Sequence, residues 1–117
     1  PNNRELPLII GQLPVFSKAF FTKQDFEKTG LTPILGSGPY KVGKFEAGRF
    51  IELERVKSWW GETLPIFVGR NNFDVMREDY YRDYEVAFEA FAAGKLDFRE
   101  ENIARRWAQA YNNLPAY

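Results

Sequence analysis

Residues 36–56 read GSGPYKVGKFEAGRFIELERV, and this stretch decides the fold. Gly36-Ser37-Gly38-Pro39 is a turn, rich in residues that break regular structure. Tyr40 to Phe45 then alternates weakly as a strand. Phe50 to Val56 alternates better, with Ile51 and Leu53 on one side and Glu52 and Glu54 on the other. Ala47-Gly48 supplies the turn between them, so the two runs predict a β-hairpin.

The same logic extends in both directions. Downstream, Ser58-Trp59-Trp60-Gly61 reads as a turn carrying two large rings, and residues 61–72 read as loop. Phe73 to Arg82 reads as a strand. Asp83 is a good helix N-cap. Tyr84, Ala87, Phe88 and Phe91 follow at helical spacing, and Gly94 is placed to end the helix. Leu96 to Arg99 reads as another short strand, so residues 73–99 predict a β-α-β unit. Asn102 is expected to cap a last helix whose apolar face carries Ile103, Trp107, Ala110 and Tyr111. Upstream, residues 6–16 read as extended, an edge or irregular strand, because Pro7 and Pro14 are expected to forbid a helix there. Ser17 is expected to cap a short helix through Phe20 and Phe21. Thr22 to Asp25 has capping-box-like spacing for a further turn, closed by Gly30 and Pro33. The fold class is therefore α/β: a mixed sheet with a β-hairpin and a β-α-β unit.

Composition bounds the function. The 117 residues suffice for one domain with one hydrophobic core. Hydrophobic residues make up 44%, which argues against disorder. Aromatics reach 17%, a load that would leave rings uncovered if a neighbouring domain were missing. Sixteen basic and sixteen acidic residues cancel, so nothing points to nucleic acid or an anionic membrane. Leu8-Ile9-Ile10 and similar runs are far short of the roughly 20 residues of a membrane span. The absence of Cys and His removes thiolate nucleophiles, Cys/His metal sites and imidazole acid–base chemistry. No cofactor is implied. The chain opens on Pro1 without a signal-like segment and ends on Leu114-Pro115-Ala116-Tyr117, as expected of a piece processed or cut from something longer.

Few residues offer chemistry. The Gly36–Gly38 loop lacks the spacing of a phosphate loop and precedes a strand, so it reads as a structural turn. Glu100-Glu101 follows a strand. Its readings are a solvated helix start, a ligand-contacting loop and, last, a catalytic pair, which would need acids facing each other across a cleft. Trp59-Trp60 and Tyr80-Tyr81 read first as core packing and second, for the tryptophans, as a sugar-stacking platform. Arg105-Arg106 reads as a solvated face, with carboxylate recognition second.

The stretch Gly36–Val42, with Phe45-Glu46-Ala47-Gly48-Arg49, Ile51–Val56 and Trp59-Trp60-Gly61, resembles the extracellular solute-binding proteins of the peptide/nickel class, family 5. Ala90–Asp97 resembles their helix end before a Gly-Glu-x-Asp strand. Glu5–Ile9, Asp25–Thr29, Gly69–Asp74, Tyr80–Asp83 and Asp97–Asn102 look like the microcin C/oligopeptide importers of Gram-negative bacteria. The resemblance implies that residues 1–117 are one domain excised from the first lobe of a two-lobed type II periplasmic-binding-protein fold. It implies a non-enzymatic periplasmic protein that captures oligopeptides or peptide-like compounds for an ABC-transporter permease. Independent binding by one lobe is not expected, since a cleft needs both walls. The segment bordering the cleft in relatives falls on Arg99, Glu100, Glu101 and Asn102. The alternative reading is a freestanding aromatic-rich carbohydrate-binding or interaction module.

Overall fold

The computed structural model describes residues 4–28 and 30–114. The expectation about the chain's exit beyond Leu114 falls on residues 115–117 and lies outside them. The chain divides into two compact units, residues 1–78 and 79–117.

The first unit opens with a helix, α1 (Leu6–Gly11), not the extended segment that two prolines suggest. Pro7 lies in the first turn, where its missing N–H would have had no helical partner and its fixed φ suits the helix. Helix α2 (Lys18–Phe21) starts as expected, with the Ser17 side chain accepting from the Phe20 N–H at 3.3 Å. A 3-10 turn at Phe26–Lys28 follows. It is capped by Asp25, which accepts from the Glu27 N–H at 3.0 Å, while Thr22 instead donates back to the Lys18 carbonyl at 2.8 Å.

The hairpin is present: β1 (Tyr40–Glu46) and β2 (Phe50–Arg55) pair antiparallel. Val42 faces Leu53 and Phe45 faces Ile51, so β1 carries one extra residue, a bulge at Gly43-Lys44. The three-residue connection places Gly48 at φ 75, a left-handed conformation that glycine adopts without steric cost. Strand β3 (Val75–Asp79) lies beside β2, shorter than Phe73–Arg82. Arg55 bonds to Asp74 and Arg77 to Glu52, so numbers fall along one strand as they rise along the other. The sheet is therefore antiparallel in the order β1-β2-β3, not mixed.

In the second unit, Asp83 caps α3 (Tyr84–Ala92), accepting from the Glu85 N–H at 2.7 Å. Gly94, at φ 69, ends it. The N–H of Lys95 reaches the Ala90 carbonyl and that of Gly94 the Phe91 carbonyl, the paired closure of a Schellman motif. The expected strand at Leu96–Arg99 is absent, and with it the β-α-β unit. The chain bends at Asp97, with Leu96 and Arg99 partly covered and Asp97 and Phe98 exposed, and no strand pairs with the segment among the described residues. Helix α4 (Ala104–Ala110) leads into a 3-10 turn, Tyr111–Asn113. Asn102 does not cap it: Ile103 holds the cap position, and its N–H is accepted by Glu101 at 2.9 Å.

The expected hydrophobic core is barely formed. Among the described residues Ala90 is the one buried hydrophobic, and Leu8, Ile10, Phe73 and Tyr84 are largely exposed. Tyr80 and Tyr81, expected in a core, are also exposed. No helix among the described residues is long and apolar enough to cross a membrane.

Candidate functional site

The four residues singled out by the sequence, Arg99 to Asn102, occupy the extended connection between α3 and α4. In an extended chain successive side chains point to opposite sides. Phe98 is 82% exposed, and Glu100 and Asn102 are exposed as well. Arg99 and Glu101 turn the other way, leaving only 7% and 3% of their side chains exposed.

The inward pair builds a closed network. Arg99 Nη1 donates to Glu101 Oε2 at 2.6 Å and also bonds to the Tyr111 hydroxyl. Glu101 Oε1 accepts from the Ile103 N–H. Arg106 on α4 bonds to Glu85 on α3, and its Nη1 lies 3.7 Å from Glu101 Oε2. That nitrogen is buried without a hydrogen-bond partner, so its tie to Glu101 is electrostatic. Tyr111 forms the apolar floor, in ring contact with Phe88, Phe91 and Trp107. The apolar spacing of α3 and α4 brings these rings together.

Protonation follows from the geometry. The hydrogen bond from Arg99 holds the Glu101 carboxyl below its ordinary value, against the opposing effect of burial. The Ile103 N–H and the charges of Arg99 and Arg106 add to it. Burial alone would lower Arg99, but its bonds to Glu101 and Tyr111 prevail and hold it above its ordinary value. The two adjacent carboxylates are therefore inequivalent: Glu101 is enclosed and neutralised, whereas Glu100 has no hydrogen bond or ion pair among the described residues. Arg106, read first as solvated, is 15% exposed and meets two carboxylates. Its partner Glu85 lies 21 positions away, and no local pattern announces such a pair.

A second feature lies in the first unit. The indole N–H groups of Trp59 and Trp60 both donate to the Ser37 carbonyl, at 2.7 and 2.8 Å. One acceptor with two lone pairs thus ties the turn after the hairpin to the turn before it. Trp59 packs on Phe67, while Trp60 is 68% exposed, so only the first is packed as expected. Beside Trp59 a hollow of about 200 Å³ is lined by Pro39, Val56, Arg55 and Arg70 among others. The Gly36–Gly38 loop thus has a structural role: it presents the acceptor. Among the described residues no group of three His, Cys, Asp or Glu is placed to hold a metal ion.

The chain is similar to several known proteins. The protein YejA of Escherichia coli is 44% identical over 108 residues, covering 92% of this chain and 18% of that protein. A probable peptide-binding protein YejA of Agrobacterium fabrum is 36% identical over 118 residues, covering 95% of this chain and 19% of that protein. A peptidoglycan-binding protein YepA of the same organism is also 36% identical over 118 residues, covering 94% of this chain and 19% of that protein. The chain thus spans about a fifth of the length of these relatives. The family described as bacterial extracellular solute-binding proteins, family 5 Middle, matches residues 1–115, and the chain belongs to that family.

Proposed function

We propose that this chain is part of a periplasmic binding protein that captures oligopeptides or peptide-like compounds and delivers them to an ABC-transporter permease. The match to the solute-binding family along residues 1–115 carries this reading. The name of the Agrobacterium fabrum relative, a probable peptide-binding protein, supports the ligand class. In this reading the chain binds and does not catalyse, and its role belongs to a longer, two-lobed protein. The other lobe and the remainder of the first cover the apolar side chains that are open here. The turn Arg99–Asn102 contributes to one wall of the cleft. The alternative of a carbohydrate-binding module asks for rings in an exposed row, but Trp59 is turned against Phe67 beside the outward Trp60.

The test is calorimetric titration of di- to hexapeptides into this chain and into a full-length protein that contains it. Binding by the full-length protein alone is the expected result. Absence of peptide binding by the full-length protein would overturn the reading, and tight binding by the chain alone would overturn the need for two walls. The name of YepA favours a second ligand class, peptide-bearing cell-wall fragments, so muropeptides belong in the same titration.

A further inference from the structure

We draw no further inference here: the strongest candidate, the hollow of about 200 Å³ beside Trp59 in the first unit, has the exposed Glu62, Arg70 and Asn72 in its polar wall, and among the described residues no unpaired buried polar group lines it, so nothing in the structure shows what fills or covers it.

Discussion

Arg99 and Glu101 stand one residue apart and close on each other at 2.6 Å, both almost enclosed. Neighbours at this spacing in an extended segment lie on the same side, so the pair needs no backbone distortion. Removing one member strands the other in a poorly solvated site. Glu101→Gln and Arg99→Met should each lower the urea midpoint clearly. Glu100→Gln, an exposed change without a partner, should stay within about 0.5 kcal/mol of wild type. Equal effects of Glu100→Gln and Glu101→Gln would refute the division between outward and inward carboxylates.

The same pair makes stability pH-dependent. The carboxyl of Glu101 is held below its ordinary value when folded. Its contribution is thus fully present above the unfolded value and is lost as pH falls through the folded one. Arg99, held above its ordinary value, stays charged across the accessible range. The expected result is a loss of stability below about pH 4 that is shallower in Glu101→Gln. Circular dichroism melts between neutral and acid pH, on wild type and variant, provide the comparison.

Local signals in the sequence were the dependable ones. Ser17 and Asp83 cap their helices because an N-cap depends on a side chain and a backbone N–H two or three residues away. The hairpin was legible because strand period and turn chemistry agree over residues 40–56. Pro7 misled because a proline forbids the interior of a helix but not its first turn. Leu96–Arg99 misled because apolar and polar residues that alternate in the sequence do not by themselves provide a neighbouring strand to pair with. The turn at Arg99–Asn102 is singled out by family resemblance alone, and the ties of Arg106 and Tyr111 to it depend on contacts across the second unit.

The Asp83 cap offers a clean local test. Its side chain is the acceptor for the Glu85 N–H at 2.7 Å. Asp83→Ala leaves that donor to water and removes a negative charge from the positive end of α3. The loss should be about 1 kcal/mol, with Asp83→Asn recovering most of it, as read by chemical unfolding.

Two glycines separate a rigid neighbour from a yielding one. A methyl group at Gly61 would lie 2.4 Å from the Trp59 ring, which is held by its bond to Ser37 and its contact with Phe67. A methyl group at Gly43 would meet the Glu54 side chain at 2.7 Å, and that chain is flexible and half-exposed. Gly61→Ala should therefore cost about 1–3 kcal/mol and alter tryptophan fluorescence. Gly43→Ala should cost less and leave the fluorescence unchanged.

Exposed apolar surface sets the behaviour of the chain in isolation. The exposed apolar side chains include Leu8, Ile10, Phe73 and Trp107. Monomeric proteins seldom leave contiguous apolar patches beyond a few hundred Å² open, because water drives such surfaces together. The isolated chain should therefore self-associate as its concentration rises. A full-length protein that buries these residues should stay monomeric over the same range. Light scattering on both, at matched molar concentrations, measures the difference. A monomeric isolated chain at high concentration would show that these side chains are too dispersed to form an adhesive face.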